Sequence, residues 1–530
     1  MAKLSGYFAD TSLINPARRQ LIRGAASAGL VSLSPAWALA SAAPTLTQMP
    51  RQALVIGNSR YLGVPLNNPG NDAQAISETL KTLGFDVTLQ LDAGRQGMLN
   101  AITDFSRRLA ASKAVGLFYF AGHGVQLAWR NYLIPVDATI KSLNDVPSSA
   151  VELNHLLGGL SKASNPMNVI VLDACRDNPF GDALPTEQKG LSQFDAPPGS
   201  LLAYATSPGN VASDGSGSNG LYTTQLLQEL KIRDAKIEDI FKRVRLAVRR
   251  QSNGSQIPWE STSLEEDFYF LQSRPTATPD EQTATKRFEE ELAIWERIKG
   301  ATSPQPLEDY LRRYPSGLFS EVAQLRLDQV LANAGEQRII LRNSDQNPYS
   351  KGTLHIDTRV KVGDRYKYRE SDAYTDIEIR KYALPVSEIT ETEVIYGKGS
   401  FVTDLIGNWI KMSDGRVFSG AQYFVPEYSL GKRWRSRHRV TTAKGDQYDT
   451  VYDFKVVARE NKTVPAGSFD AFRIEGSGWT LGPAGNLRLE SRYWVTPSIR
   501  RFIAAEFFQQ NSRGKVVKSQ RVELLSYTQL

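Results

Sequence analysis

Four short stretches, RQALVIG (51–57), AVGLFYFAGHG (114–124), MNVIVLDAC (167–175) and SLLAYATS (200–207), are apolar at successive positions and so on both faces of an extended chain. A strand without a solvent face belongs inside a mainly parallel sheet covered on both sides by helices. The sequence between these stretches supplies the helices. AQAISETLKTLG carries apolar positions 76, 80 and 83 at helical spacing, with Asp72 as the expected cap and Gly84 as the stop. MLNAITDFSRRLA (98–110) puts Leu99, Ile102, Phe105 and Leu109 on one stripe. FDVTLQLD (85–92) alternates as a strand, while ELNHLLGGL, LYTTQLLQEL and IEDIFKRVRLAVRR continue the helical pattern. Residues 51–270 therefore predict an α/β unit: a mainly parallel sheet flanked by helices, with its chemistry beyond the carboxyl ends of the strands.

The remaining chain divides by pattern. Residues 271–335 read as a Pro/Thr-rich linker followed by a charged helical hairpin broken at Tyr314-Pro315-Ser316-Gly317. Residues 336–530 alternate with period two and are rich in aromatics and Gly/Asp/Asn turns, which predicts an antiparallel β domain. Residues 1–43 hold Arg18-Arg19 before a weakly apolar stretch that ends in Ala38-Leu39-Ala40, a pattern resembling a twin-arginine export signal. A periplasmic or secreted location is the expectation. The net charge of +7 includes no long Lys/Arg run, so nucleic acid is not expected as a partner. Outside the N-terminus no run reaches the ~20 apolar residues of a membrane-spanning helix.

Two of the apolar strands end in reactive residues. FYFAGHG sets His123 between glycines, and VIVLDAC ends in Cys175, the one cysteine in 530 residues. If those strands are parallel neighbours, thiol and imidazole emerge at one sheet edge, where the imidazole favours the nucleophilic thiolate. An isolated cysteine is more often an inert small hydrophobe. The joint placement argues otherwise: 52 residues separate the two, near the ~50-residue spacing of caspase-type proteases.

GLFYFAGHG, VIVLDACRDNPF, LLAYATSPGNVASDG and SQIPWESTSLEEDFYF resemble the caspase-like (peptidase C14, metacaspase-related) domain of bacterial proteins across residues 51–270. The resemblance implies a cysteine endopeptidase with His123 and Cys175 as its dyad and the backbone of Gly124 and Cys175 as oxyanion donors. Asp173-Ala174-Cys175 stands where caspases have Gln-Ala-Cys, which implies a carboxylate in the substrate pocket and a basic P1 residue. Asp214 is a weaker candidate for a second pocket acid. Metacaspase-like enzymes often need calcium, so calcium is a cofactor allowed by the resemblance, although no ligand set is assignable.

Asp177 reads equally well as a surface acid paired with Arg176. The loop 181–199 reads as a solvated segment, with Lys189-Gly190 as its one basic bond for self-processing. His155 reads as structural, and neither His355 nor His438 has metal-ligand spacing. GKRWRSRHRV (431–440) reads as a strand with a solvated basic face, or as a site for acidic polymer or lipid headgroups. KTVPAGSFDAFRIEGSG (462–478) resembles a motif of periplasmic antiparallel β domains. The expected partners are protein or peptide substrates, with the β domain free to bind an envelope component or a protein. The alternatives are a catalytically silent scaffold whose β domain carries the function, and a thiol enzyme that passes its acyl group to an amine.

Overall fold

The computed structural model of the chain describes residues 45–175, 191–207, 217–273, 281–336, 347, 349, 353–355, 359–483 and 485–530. Its first sheet is eight-stranded. The strands are β1 (Arg51–Gly57), β2 (Asp86–Leu91), β3 (Val115–Leu127), β4 (Arg130–Leu133), β5 (Val151–Glu152), β6 (Asn168–Cys175), β7 (Ser200–Tyr204) and β8 (Trp259–Thr262). Along the order β2-β1-β3-β6-β7-β8 all pairings are parallel except β7 with β8. β4 pairs antiparallel with β3 and with β5.

The double-sided apolar pattern is explained by helices on both faces. These are α1 (Pro69–Thr82), α2 (Arg95–Ser112), α3 (Val146–Ser149), α4 (Leu153–Ala163), α5 (Leu221–Glu229) and α6 (Ile237–Gln251). Odd-numbered positions such as Val55, Tyr119 and Val171 pack against α1, α5 and α6. Even-numbered positions such as Ile56, Phe118 and Leu172 pack against α2 and α4. Each such side chain contributes ~1.5–3 kcal/mol of burial.

Two local expectations need correction. Asp72 does not cap α1; the helix begins at Pro69 after Asn68, and the Asp72 carboxylate reaches out to Asn219 and Gly220. β3 does not end at its glycines but continues to Leu127, because β4 pairs with its far end. His155 does not join the core: it sits on the exposed face of α4, while Leu153, Leu156 and Leu160 form the buried stripe.

Residues 281–333 form three helices where a hairpin was expected: α7 (Glu281–Ile298), α8 (Pro304–Arg313) and α9 (Ser320–Asn333). Trp295 of α7 stacks on Phe319, with ring centroids 5.4 Å apart. Arg249 of α6 joins them to the first sheet through Asp328 and Glu336, at 2.5 and 2.8 Å. No helix among the described residues is long and apolar enough to cross a membrane.

The C-terminal strands are β9 (Thr353–His355), β10 (Arg365–Asp372), β11 (Glu378–Ile389), β12 (Glu393–Tyr396), β13 (Phe401–Asp404), β14 (Trp409–Lys411), β15 (Val417–Ser419) and β16 (Glu427–Ser429). They continue as β17 (Arg433–Thr441), β18 (Gln447–Val464), β19 (Gly467–Leu481), β20 (Leu487–Val495), β21 (Ala504–Asn511) and β22 (Val516–Thr528). All but β9 and β16, which pair with each other, form one closed antiparallel barrel sealed by β22 on β10. Its interior is filled by aromatic rings. Tyr423 alone lies within 4.4 Å of Trp409 and 5.9 Å of both Tyr452 and Phe454, centroid to centroid.

In GKRWRSRHRV the bases point outward and Trp434, Ser436 and His438 point inward. Arg435 pairs with Asp453 at 2.6 Å and Arg439 with Asp449 at 2.7 Å, so much of this basic face is neutralised. His438 is buried between Tyr423 Oη (3.0 Å from Nε2) and Ser436 Oγ (3.1 Å from Nδ1). Burial pushes its pKa from 6.5 to about 3, against a small opposing pull from Asp449. A histidine held neutral in the folded state contributes stability above its unfolded pKa and loses it as pH falls toward the folded one. The barrel is therefore expected to lose a few kcal/mol, at ~1.4 kcal/mol per pKa unit, from this group between about pH 6.5 and 3. Asp404, raised to about 6 by burial, works in the opposite sense over part of that window. In urea titrations at several pH values, His438→Gln should show a shallower acid loss than the parent; identical slopes would contradict this account.

Candidate active site

β3 and β6 are neighbours at the centre of the sheet, and their register runs from Gly116 opposite Asn168 to His123 opposite Cys175. Adjacent strands lie ~4.8 Å apart, so the backbones of the two residues are side by side where β6 ends. His123 is 4% exposed and is held from three directions. Its backbone N–H donates to Tyr61 Oη at 3.0 Å, and its carbonyl accepts from Ile134 N–H at 3.0 Å. The Tyr61 ring lies 4.4 Å from the imidazole, and its hydroxyl donates on to the Ile134 carbonyl at 3.0 Å.

Imidazole Nε2 stands 2.8 Å from the Val64 carbonyl oxygen. A carbonyl only accepts, so Nε2 carries a proton, and in the neutral form of the ring the lone pair falls to Nδ1. Gly122 makes this arrangement possible. Its φ is +154°, and a Cβ there would lie 2.5 Å from Tyr61 Oη. Neither Tyr61 nor the Val64 carbonyl was foreseen from sequence. The turn-rich NSRYLGVPLNNPGND was visible, but nothing in it named the strand end that it covers.

Gly124 stands beside the same edge. Gly116 N–H donates toward β6, to the Met167 carbonyl at 2.9 Å. By strand alternation the N–H of Gly124, eight residues on, faces the same way, at the end of β6.

Asp173, two residues before Cys175, accepts from Thr223 Oγ1 at 2.6 Å and from Tyr119 Oη at 3.3 Å. Asp72, 4% exposed, accepts from Asn219 Nδ2 at 2.8 Å and Gly220 N–H at 3.0 Å. The two carboxylates converge on Gly220: a Cβ there would lie 3.2 Å from Asp72 Oδ2 and 4.0 Å from Asp173 Oδ2. The Tyr119 phenol registers both charges; burial first, then Asp173 and Asp72, hold its pKa well above the ordinary value. Two acids thus face one glycine, Gly220, near the carboxyl ends of β3 and β6. Asp72 is the residue missed from sequence. Its position four residues ahead of an apolar helical stripe disguised it as a cap. The other expected pocket acid, Asp214, lies outside the described residues, as do Arg176, Asp177, Lys189 and the N-terminal segment 1–43.

Residues 191–194 are buried, which corrects the reading of 181–199 as a solvated loop where the segment is described. Leu191 lies against Gly124, where a Cβ would stand 3.0 Å from Leu191 Cδ2. Ser192 N–H donates to Asn131 Oδ1 at 2.6 Å, and Asn131 Nδ2 donates to the Ser192 carbonyl at 2.9 Å. Residues that lead into the barrel brace this segment. Asn347 Nδ2 donates to the Gln193 carbonyl at 2.8 Å, Asp195 N–H donates to the Tyr349 carbonyl at 2.8 Å, and Phe194 stacks on Tyr349 at 4.6 Å. Among the described residues no group of three or more His, Cys, Asp and Glu is placed to hold a metal ion. His355 lies on β9, opposite Glu427 of β16.

A family model described as the caspase domain (peptidase C14) matches residues 50–269. The chain is similar to the human mucosa-associated lymphoid tissue lymphoma translocation protein 1, at 30% identity over 191 residues, 35% of this chain and 22% of that protein. The mouse homolog of that protein matches with the same identity and coverage. The chain thus spans about a fifth of the length of the curated relatives it matches.

Gly122→Ala tests the clamp on His123. The backbone region is one that only glycine occupies readily, at ~1–3 kcal/mol for other residues, and the Tyr61 contact adds to that. Urea unfolding is expected to show a loss of at least this size. A change below ~0.5 kcal/mol, the range of ordinary surface substitutions, would mean that the Tyr61–His123 packing does not depend on the missing side chain.

Proposed function

We propose that the N-terminal α/β unit is a cysteine endopeptidase that cleaves after arginine or lysine, with Cys175 as nucleophile and His123 as general base. The observation that carries this reading is the β3–β6 register, which sets His123 beside Cys175 with two carboxylates at the same sheet edge. The caspase-domain match over residues 50–269 supports the same class of chemistry.

The Val64 carbonyl fixes the proton on Nε2 and leaves Nδ1 as the basic nitrogen. Nδ1 takes the thiol proton, and the thiolate attacks the scissile carbonyl carbon to form a carbon–sulfur bond. Charge builds on the carbonyl oxygen, where the Gly124 N–H is placed to donate. Collapse of the tetrahedral adduct breaks the carbon–nitrogen bond, and the imidazolium returns its proton to the leaving amine. Water, deprotonated by the same nitrogen, then hydrolyses the thioester and restores the thiol.

Specificity follows from charge. An arginine side chain at P1 meets Asp72 and Asp173 in a pocket whose hydrogen-bond donors to them include neutral hydroxyl and amide groups. A charge-assisted hydrogen bond is worth ~1.5–3 kcal/mol, which corresponds to roughly ten- to a hundred-fold in rate. A P1 aspartate meets like charge instead. Export by the twin-arginine route, which the pattern at Arg18-Arg19 supports, would place this activity in the periplasm or outside the cell. The barrel would then bind an envelope component or a protein partner.

Peptides with P1 Arg, Lys and Asp, assayed with the parent and its variants, test the reading. Cys175→Ala should abolish cleavage, and Asp72→Asn or Asp173→Asn should each reduce kcat/KM for P1 Arg by tenfold or more. Efficient cleavage after Asp, or full activity in Cys175→Ala, would overturn it. A silent scaffold would cleave none of the three peptides. Export has its own test: Arg18→Lys with Arg19→Lys should leave the precursor in the cytoplasm, and undiminished export would point to the general secretory route.

A further inference from the structure

The two ends of the barrel differ in kind. At one end Glu391, between β11 and β12, pairs with Arg326 of α9 at 2.7 Å, and Ile406 packs among side chains of the helical segment. The other end carries hairpin tips, among them β10–β11, β14–β15, β17–β18, β19–β20 and β21–β22. Large apolar side chains stand in solvent there. Tyr374 is 71% exposed, Ile377 67% and Trp479 50%, with Ile379, Val516 and Val517 beside them.

Register and ring contacts place some of these residues on adjoining strands. One row runs through β19, β20, β21 and β22, with Arg488 and Gln510 between Trp479 and Val516. Tyr374 lies edge-on to Phe508 of β21 at 5.9 Å. Half-buried strands of a soluble barrel ordinarily keep such positions polar, and a cluster of this kind marks an interaction surface.

Charge decides what the surface fits. Residues 372–381, 411–417, 441–447, 481–488 and 510–518 hold nine bases against five acids. Pairing is local on both sides: Asp414 with Arg416, Glu378 with Lys381, Glu370 with Arg380, and Asp376 with Arg369 and Arg521. Lys444, Arg513 and Lys515 stand exposed on the tips, with no carboxylate within 4 Å among the described residues.

We propose that this end of the barrel docks on an anionic lipid bilayer, with the Trp479, Tyr374, Ile377 and Val517 side chains entering the interfacial zone and Lys444, Arg513 and Lys515 meeting headgroup anions. Aromatic and aliphatic side chains on separate tips, with long basic side chains among them, suit a planar surface that is apolar beneath and charged above. The docking surface lies on the barrel alone and is independent of the peptidase reading.

The test uses the full chain and sedimentation with vesicles of phosphatidylcholine, with and without phosphatidylglycerol. The parent is expected to partition onto the phosphatidylglycerol vesicles and to bind the neutral ones at least tenfold more weakly. The triple variant Ile377→Ser, Trp479→Ser, Val517→Ser should lose tenfold or more. Lys444→Glu, Arg513→Glu, Lys515→Glu should do the same with an unchanged thermal midpoint, which excludes misfolding as the cause. Residues 1–43 are the same in every variant, so binding that survives both triple substitutions would belong elsewhere and overturn the proposal. Absence of binding by the parent would also overturn it, as would a vesicle-free dimer that depends on Trp479 in sedimentation equilibrium, which would make a second copy the occupant.

Discussion

The parallel pairing of β3 with β6 is the constraint on which the candidate site depends. Both strands are apolar on both faces, so each must be central, and their register cannot slip without dragging buried rings such as Phe118 and Tyr119 to the wrong face. That fixed register is what brings His123 level with Cys175 at the strand ends. Stability and the geometry of the candidate site thus share one cause: the burial that holds the sheet together also sets the backbone positions of the two residues.

Around this pair the fold uses long-range contacts instead of local ones. The loop after β1 supplies Tyr61 and the Val64 carbonyl, α1 supplies Asp72, and the segment before α5 supplies Asn219 and Gly220. The residues that lead into the barrel supply Asn347 and Tyr349, which brace the segment lying against Gly124. Four separate stretches of chain therefore meet at one sheet edge. Because each contact is a hydrogen bond or a ring packed on a buried group, displacement of any one leaves buried polar atoms to be satisfied, at ~1–3 kcal/mol apiece.

Much of the α/β unit was legible because two-sided apolar strands have few other places to go. What was illegible depended on distance in sequence. Asp72 has the residue type and position of a helix cap, and only its contact with Asn219, far along the chain, reveals its other role. The glycines around His123 read as a strand end because nothing local announces that β4 returns to pair beyond them. Alternation announced the β domain, but its closure rests on β22 meeting β10, a pairing between the two ends of the module. Alternation likewise disclosed the arginines of β17 but not that His438, between two of them, faces an aromatic interior.

The central claim is that a thiol at Cys175, an imidazole at His123 and an acidic pocket act as one unit. Covalent capture tests it most directly: the chain is treated with peptidyl chloromethyl ketones that differ only in P1, arginine or aspartate, and the Cys175 peptide is followed by mass spectrometry. The account predicts alkylation of Cys175 at least tenfold faster by the arginine reagent, with that advantage lost in the Asp72→Asn, Asp173→Asn double variant and both rates depressed in His123→Ala. Equal rates for the two reagents in the parent, unaffected by these substitutions, would contradict it.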